Sequence, residues 1–179
     1  MIDSQGWLSS ATHTPSPNHN QRPESTPVEL LVIHNISLPP NQFGGGYIQR
    51  FFCNQLAADE HPYFATIADL QVSAHLLIDR QGKVTQFVPF SARAWHAGAS
   101  DFCGRDNCND FSIGIELEGA DDTPYSDAQY RCLVEVTREL MGHFPGITPE
   151  RIVGHSDIAP GRKTDPGSAF DWPRYKNQL

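Results

Sequence analysis

The sequence predicts a single α/β or α+β domain in which helices flank a mixed β-sheet. A chain of 179 residues is long enough for one well-filled core and short for two domains. Short apolar runs typical of strands alternate along the chain with segments of helical periodicity, which is the pattern of a sheet covered by helices. No internal repeat interrupts this alternation, so a repeat architecture is not expected.

Residues 1–27 are expected to form an extended arm packed on a domain that comprises residues 28–179. Prolines at positions 15, 17, 23 and 27 stand among Ser, Thr, Asn and His, and the segment shows little periodicity. Such a composition disfavours a regular helix or strand. Trp7 is expected to hold the start of the arm against the domain.

The first central strand is predicted at "VELLVIHN", and a short helix is predicted after it. The run Leu30–Ile33 is continuously apolar, which is typical of a strand buried on both faces, and the run ends at His34. The Pro and Gly residues of "SLPPNQFGGG" then prevent regular structure. In "YIQRFFCNQLA", apolar residues recur at helical spacing from Ile48 to Leu56.

A hairpin and a further strand are predicted in the middle of the chain. The β-rich runs "VSAHLLID" and "KVTQFVP" flank "RQG", with Gly82 in the turn. In "FSIGIELEG", the odd positions from Phe111 to Leu117 are apolar and the even positions are small or acidic. This alternation predicts one core face and one polar face, with Glu116 and Glu118 pointing the same way.

The C-terminal third predicts a long helix, a short strand and a loop rich in functional side chains. Ser126 and Gln129 are spaced as a capping box, and an apolar face recurs from there to Phe144. The run "RIVGH" predicts one more short strand. It leads into "GHSDIAPGRKTDPG", residues 154–167, which the Pro and Gly residues predict to be a loop.

Composition and charge exclude several classes of function. The chain is 39% hydrophobic and 19% charged, as soluble globular proteins are, and its formal net charge is −8. Because phosphate backbones repel an acidic protein, nucleic acid is not an expected partner. The apolar runs are too short to span a bilayer, and the first residues lack the pattern of a secretory signal, so no membrane partner and a cytoplasmic location are expected.

Two histidines follow predicted strands, at positions suited to a metal site. His34 ends a buried strand before a Pro/Gly loop, and His155 follows "RIVG" in the same way. Neutral imidazole is a common zinc ligand, and catalytic zinc sites usually have three protein ligands. Either Asp157 or Asp165 is suited to complete the set, and spacing does not choose between them.

Other candidate ligands carry a weaker signal. His75 lies on the predicted hairpin, where a core histidine is the expected interpretation, whereas His96 in "RAWHAG" borders a predicted loop. Cys103 and Cys108 lack a second cysteine pair, so ordinary reduced thiols are expected there rather than a metal clip or a disulfide.

Rival catalytic motifs are incomplete. The segment "GHSDI" resembles the start of a G-x-S-x-G nucleophile elbow, but Ile158 stands where the last Gly belongs. The "HExxH" motif of helical zinc proteases is absent. The segment "FGGGY" lacks the G-K-[ST] of a phosphate loop, so a flexible loop is expected there.

Taken together, "VIHNIS", "VPFSARAWHAG", "FSIGIELEG" and "GHSDIAPGRKTDPGSAFDW" resemble the zinc-dependent N-acetylmuramoyl-L-alanine amidases, and more narrowly those of cytosolic peptidoglycan recycling. The likeness runs from about Gly6 to Tyr175. It implies the amidase_2-type fold, shared with phage amidases and peptidoglycan recognition proteins, in which a mixed sheet flanked by helices carries zinc in a groove. The implied reaction is hydrolysis of the amide between the lactyl group of 1,6-anhydro-N-acetylmuramic acid and L-alanine. The implied partner is this small muropeptide, with no obligatory protein partner evident.

The resemblance also implies a ligand set for Zn²⁺. By motif position the ligands are His34 from "VIHN", His155 from "GHSD" and Asp165 from "KTDPG". Asp157 is left with a structural role in the loop.

The resemblance implies that Glu116 is the catalytic acid and base and that Lys163 is the basic residue beside the metal. Glu116 would move the proton of the attacking water to the leaving amine, and Lys163 would stabilise the oxyanion. Glu118 lies about 7 Å further along the strand, at roughly 3.3 Å per residue, and a structural role is expected for it.

The expected substrate contacts are Asn35, Trp95 and Arg105. Asn35 and Trp95 match family positions that face the muropeptide, and an indole is suited to pack against a sugar. Arg105 is available to bind the acidic stem peptide. Gln71 and Asn107 stand where further basic residues are expected in the family.

Overall fold

The computed structural model describes all 179 residues, Met1–Leu179. The strands are β1 (Thr12–His13), β2 (His19–Gln21), β3 (Leu30–Ile36), β4 (Leu76–Ile78), β5 (Val84–Gln86), β6 (Ala92–Ala94), β7 (Asp101–Phe102), β8 (Arg105–Asp106), β9 (Ser112–Glu118) and β10 (Ile152–Gly154). The helices are α1 (Tyr47–Phe52), α2 (Asp127–His143), α3 (His155–Ile158) and α4 (Trp172–Lys176). Single 3₁₀ turns form at Phe64–Thr66, Cys108–Asp110 and Pro149–Arg151. None of the helices is both long and apolar enough to span a lipid bilayer.

A six-stranded mixed sheet organises the molecule, as the sequence predicts. Its strand order is β1-β5-β4-β9-β3-β10. The four strands β4, β9, β3 and β10 run parallel to one another, whereas β5 pairs antiparallel with β4. The carboxyl ends of the four parallel strands therefore meet at one edge, where open α/β sheets usually place their sites.

The predicted hairpin and long helix are confirmed. Strands β4 and β5 form the hairpin, and Gly82 turns it with a φ of +81°. In the capping box at the start of α2, the Ser126 hydroxyl accepts from the Gln129 N–H and the Gln129 amide oxygen accepts from the Ser126 N–H, each at 3.1 Å. The buried face of α2 packs on the sheet with β3 and β9.

Strand β9 is covered on both faces, although its sequence alternates between apolar and polar residues. It lies between β3 and β4, and its odd-numbered residues, such as Ile113 and Ile115, join the core beneath α2. Its even-numbered residues include Ser112, which is fully buried, and Glu118, which is 4% exposed. The polar face of β9 is therefore largely buried, and on it Glu116 alone is partly exposed, which the sequence alternation does not reveal.

The predicted short helix and the predicted loop differ from expectation in extent. Helix α1 ends at Phe52 because Asn54 adopts a left-handed conformation with a φ of +57°, so buried Leu56 lies beyond it. In the segment 154–167, one helical turn, α3, begins directly after β10. The Asp157 carboxylate accepts a hydrogen bond from the Gly154 N–H at 2.7 Å and thereby stabilises this turn.

The first 27 residues contribute one strand each to two sheets of the molecule. Strand β1 pairs with β5 at the sheet edge, and β2 pairs with β6. Leu8, which is 1% exposed, packs in the core, while Trp7 is only partly buried. The guanidinium of Arg22 donates to backbone carbonyls at Phe90, Asn109, Asp110 and Ser112, which fixes the arm to the domain.

Candidate active site

The strand register brings His34, Glu116 and His155 to one place. His34 and Glu116 are direct partners across β3 and β9, so their side chains project from the same face. Gly154 pairs with Ile33 across β10 and β3, which puts His155 beside the end of β3. Asp165 returns from the loop after α3, and its carbonyl accepts from the Ser156 N–H at 3.0 Å. Residues far apart in the sequence thus meet at the carboxyl edge of the sheet.

Three donor atoms form a compact triangle at this edge. Nδ1 of His34 lies 3.0 Å from Nδ1 of His155 and 2.9 Å from Oδ2 of Asp165, and the third side is 3.0 Å. Tetrahedral zinc with bonds of about 2.0–2.1 Å sets its ligand atoms roughly 3.3 Å apart, which is close to this triangle. Two imidazole nitrogens and one carboxylate oxygen are a donor set of a catalytic zinc site, so the residues fit the ion.

The structure distinguishes the two aspartates that spacing left open. Asp165 belongs to the triangle with His34 and His155. The Asp157 carboxylate instead faces the Gly154 N–H at the start of α3. Asp165 is therefore the aspartate in a position to hold a metal.

Burial of His34 and hydrogen bonds to Asp165 set the protonation of these two groups in favour of metal binding. Burial, opposed by the hydrogen bond to Asp165, lowers the pKa of His34 to about 4, so its imidazole is neutral near pH 7. Burial of Asp165 acts to raise its pKa, but hydrogen bonds to His155 and His34 outweigh it, so the pKa lies below its usual range. Neutral imidazole and ionised carboxylate are the forms that bind metal ions.

Glu116 lies beside the triangle in the same groove. Its Oε2 atom is buried without a hydrogen-bond partner. Burial, reinforced by the charge of Asp165, raises the pKa of Glu116 well above its usual value, while Lys163 opposes the shift. A carboxyl group with a raised pKa in a cleft is a candidate general acid and base.

A groove of about 390 Å³ opens over the triangle. Its polar lining comprises His34, Asn35, Ser37, Ser73, His96, Glu116, His155, Lys163 and Asp165, and its apolar lining comprises Ile36, Leu38, Pro40, Phe51, Phe52, Tyr63, Ile67, Leu70, Val72 and Trp95. The apolar side comes largely from the connection between β3 and β4. A groove with one apolar side and convergent polar groups suits a ligand that combines a sugar with a peptide.

Two of the three expected substrate contacts line this groove. The Asn35 amide donates to the Asp121 carboxylate at 2.8 Å, which orients it. The Trp95 indole N–H donates to Asn20 Oδ1 at 2.8 Å, so the N-terminal arm fixes the ring. Both side chains are thus held in place on the groove wall.

Arg105 lies outside the groove, contrary to expectation. Its guanidinium pairs with Glu29 and stacks 3.9 Å from the centre of the Phe111 ring. Glu29 precedes β3, so this pair lies at the amino edge of the sheet, about 16 Å from His34 at roughly 3.3 Å per residue. Arg105 lies in β8, and its contacts with Glu29 and Phe111 place it beside the residues that precede β3 and β9.

Arg162, which no sequence motif singles out, is a further candidate residue. It lines a pocket of about 340 Å³ beside the groove, together with Gln71 and Lys163. Its guanidinium donates to the carbonyls of Ala97 and Ala99 at 2.7 and 2.6 Å. The only signal in the sequence is its place next to Lys163 in the "GRK" of the functional loop.

The two remaining histidine candidates separate in the structure. His75 is fully buried, its Nδ1 accepts from the Gly114 N–H at 3.1 Å, and it contributes to the core as expected. His96 contacts His34 directly, with 2.9 Å between its Nδ1 and Nε2 of His34. His96 is therefore outside the donor triangle but supports one of its members.

Sequence comparison relates this chain to a known family of enzymes. Residues 24–168 match the family model described as N-acetylmuramoyl-L-alanine amidase. The chain is 58% identical over 179 residues to the 1,6-anhydro-N-acetylmuramyl-L-alanine amidase AmpD of Enterobacter cloacae, covering 100% of this chain and 95% of the relative. It is 54% identical over 176 residues to the AmpD of Escherichia coli K12, covering 98% and 96%.

Two solved structures extend the likeness to the backbone. The crystal structure of a selenomethionine derivative of AmpD superposes with a TM-score of 0.96 at 52% identity, covering 100% of this chain and 99% of that one. The Escherichia coli amidase AmiD, in complex with the substrate anhydro-N-acetylmuramic acid-L-Ala-D-gamma-Glu-L-Lys, superposes with a TM-score of 0.62 at 32% identity, covering 89% and 60%.

Proposed function

The chain belongs to the N-acetylmuramoyl-L-alanine amidase family, and we propose that it is a zinc enzyme of muropeptide recycling. It hydrolyses the amide bond between the lactyl group of 1,6-anhydro-N-acetylmuramic acid and L-alanine. The observation that carries the proposal is the triangle of His34, His155 and Asp165, with sides of 2.9–3.0 Å, beside the unpaired carboxylate oxygen of Glu116.

Zinc held by the triangle would supply Lewis acidity, polarising the scissile carbonyl and bringing the pKa of water at the site to about 7. His34, His155 and Asp165 would hold the ion, since they present one donor atom each. The groove opens directly over them, so an ion held there would be accessible to substrate.

Glu116 moves the proton of the reaction. It accepts a proton from the attacking water as the oxygen bonds to the carbonyl carbon. It then gives that proton to the amide nitrogen as the C–N bond breaks, so the products are a lactyl carboxylic acid and a free L-alanyl amine. The raised pKa of Glu116 suits both steps, because the group holds the proton between them.

Lys163 stabilises the negative charge that develops on the carbonyl oxygen. Its side chain lines the groove beside Glu116, and its positive charge acts on both Glu116 and His34. A cation preorganised at a developing oxyanion lowers the barrier to amide hydrolysis.

The groove suits the proposed substrate. Trp95 offers an indole face to the anhydro sugar, and Asn35, held by Asp121, offers an amide to the backbone of the stem peptide. AmiD, which shares the fold, holds an anhydro-muropeptide of this class in its solved complex. We propose Arg162, instead of Arg105, as the residue that binds the acidic end of the peptide, because it lines the pocket next to Lys163.

The proposal extends to organisation and location. Residues 28–179 form the amidase domain, and residues 1–27 form an arm that fixes Trp95 through Asn20. The cytoplasm is the proposed place of action, since the four free cysteines fit a reducing compartment.

The decisive experiment measures release of L-alanyl peptide from an anhydro-muropeptide by the purified protein. It compares untreated protein, protein stripped by a chelator, and stripped protein supplied again with Zn²⁺. Glu116→Ala is assayed alongside, and Glu24→Ala, an exposed glutamate outside the groove, is the matched control.

The expected result is activity that chelation abolishes, zinc restores and Glu116→Ala lacks, while Glu24→Ala remains active. Turnover that survives both chelation and Glu116→Ala would overturn the zinc mechanism. Binding of the muropeptide without any release of peptide would instead identify a recognition module.

A further inference from the structure

Residues 96 and 97 contact the outward nitrogens of both histidines in the metal triangle. Nε2 of His34 lies 2.9 Å from Nδ1 of His96. Nε2 of His155 lies 3.0 Å from the carbonyl oxygen of Ala97. Because a carbonyl only accepts, His155 carries its proton on Nε2 and keeps its Nδ1 lone pair for a metal.

For His34, keeping the proton on Nε2 and the lone pair on Nδ1 depends on a side chain instead of a carbonyl. A carbonyl is a fixed acceptor, whereas a neutral imidazole accepts at one nitrogen and donates at the other. Nε2 of His96 lies 3.1 Å from the hydroxyl of Ser112. When His96 donates there, its Nδ1 is free to accept the proton of His34 Nε2, and Nδ1 of His34 becomes the metal donor.

We infer that His96 is a positioning residue that fixes the ring of His34 and its tautomer for metal binding. The inference rests on the proposed function and deepens it, since it adds a residue that acts on zinc through a ligand. Two hydrogen bonds, from His96 to Ser112 and from His34 to His96, form a chain that we call the relay. Such supporting hydrogen bonds orient metal-bound histidines in many sites.

The strand beneath His96 is shaped to accept its ring. A Cβ atom at Gly114, in the middle of β9, would lie 2.5 Å from Cγ and Nδ1 of His96. Real Cβ atoms do not approach so closely, so only glycine leaves room for the imidazole at this position. The glycine in "FSIGIELEG" thus serves a neighbouring side chain, which the alternation of the strand does not reveal.

A buried amide also fixes the backbone that carries His96. Oδ1 of Asn109 accepts from the N–H of His96 at 3.0 Å and from the N–H of Ala97 at 2.8 Å. Asn109 is 6% exposed, so this anchor is shielded from water. The backbone is therefore held at the two residues that support the two metal-binding histidines.

The test measures the Zn²⁺ affinity of purified protein by competition with a chelating dye. His96→Leu removes the acceptor while filling similar space. His96→Asn has nearly the shape of leucine but keeps an oxygen acceptor near the place of Nδ1. His143→Leu, at the exposed end of α2, is the matched control, and thermal unfolding of each metal-free protein reports its fold.

The expected result is a zinc affinity about 10–100-fold weaker in His96→Leu, restored to within a fewfold of wild type in His96→Asn. Ser112→Ala, which deletes only the far end of the relay, should show a smaller loss. Ser112→Ala also tests the inference if His96→Leu fails to fold. The metal-free variants should unfold at similar temperatures, because the effect acts on the metal.

Two results would overturn this inference and leave the proposed function intact. The first is wild-type zinc affinity in both His96→Leu and Ser112→Ala. The second is an equal loss of zinc affinity in His96→Leu and His96→Asn, together with an equal loss of thermal stability. A wild-type protein that binds no zinc would overturn the proposed function and this inference with it. The outcomes therefore distinguish failure of the role inferred for His96 from failure of the proposed zinc-dependent function.

Discussion

The carboxylate of Glu118 accepts a hydrogen bond from the backbone N–H of Gly44 at 2.6 Å. Its second oxygen accepts from the backbone N–H of Arg80 at 3.2 Å. Gly44 adopts a φ of +83°, and it belongs to the connection after β3, whose Ser37, Leu38 and Pro40 line one side of the groove. Glu118 therefore ties the groove wall to the central strand that carries Glu116.

Glu118→Gln is expected to loosen this wall. The amide keeps one acceptor but turns N–H groups towards a backbone donor, and a hydrogen bond to a charged group contributes about 1.5–3 kcal/mol. We expect a loss of about 1–3 kcal/mol in unfolding free energy and a KM that rises more than kcat falls. Urea unfolding and steady-state kinetics check both. Unchanged KM and stability would show that Gly44 needs no anchor, and Glu24→Gln is the control.

Glu116→Gln is expected to stop hydrolysis without removing the metal. The amide cannot carry the proton, and general acid and base catalysis contributes about 10²–10⁴ in rate. We expect kcat to fall by at least about 100-fold while zinc affinity and muropeptide binding stay near wild type. Kinetics, dye competition and calorimetric binding measure the three quantities. A kcat within tenfold of wild type would reassign the proton carrier.

Asp165→Asn and Asp157→Asn form a matched pair in one loop. Asp165 offers Oδ2 to the metal triangle, so its amide variant should lose more than the roughly 10–100-fold in zinc affinity that removal of a supporting group causes. Asp157 bonds only the start of α3, so its variant should bind zinc normally and lose about 1 kcal/mol of stability. Equal zinc losses in both would contradict this division.

Arg162→Ala and Arg105→Ala test which arginine meets the peptide. Arg162 lines the pocket beside Lys163, whereas Arg105 lies at the opposite sheet edge with Glu29. We expect a severalfold rise in KM for Arg162→Ala. We expect an unchanged KM for Arg105→Ala, with at most about 1 kcal/mol lost from an exposed ion pair. A rise in KM for Arg105→Ala alone would show that Arg105, and not Arg162, binds the peptide.

Tyr175 makes stability depend on alkaline pH. Its hydroxyl is fully buried, lies 2.6 Å from that of Thr137, and burial raises its pKa above the ordinary 10.0. Above about pH 10 the unfolded chain loses this proton and the folded chain keeps it, so stability falls by up to about 1.4 kcal/mol per pH unit. Tyr175→Phe should be about 1 kcal/mol less stable near pH 7 and decline less steeply above pH 10. Urea unfolding across that range measures the slopes, and parallel slopes would contradict the assignment.

Much of the fold is local in origin and was predictable. The capping box of Ser126 and Gln129, the hairpin turn at Gly82 and the apolar run before His34 are each determined by a few neighbouring residues. The ends of elements were less predictable, because α1 stops where Asn54 turns left-handed and α3 forms where Asp157 caps it. These details depend on single backbone conformations that periodicity does not record.

The candidate residue types were recognisable from the chain alone: histidines at the ends of strands, a loop with aspartates and a lysine, and two glutamates on one strand face. Which of these residues come together depends on how the elements pack. Strand register brought His34 and His155 together, and the folding of the loop after α3 brought Asp165 to within 3.0 Å of both. The connections between elements put Arg105 beside Glu29 and His96 against His34 over Gly114. Spacing along a chain fixes which face and end of an element a side chain occupies, whereas distances between elements are fixed only when the strands pair and the core closes.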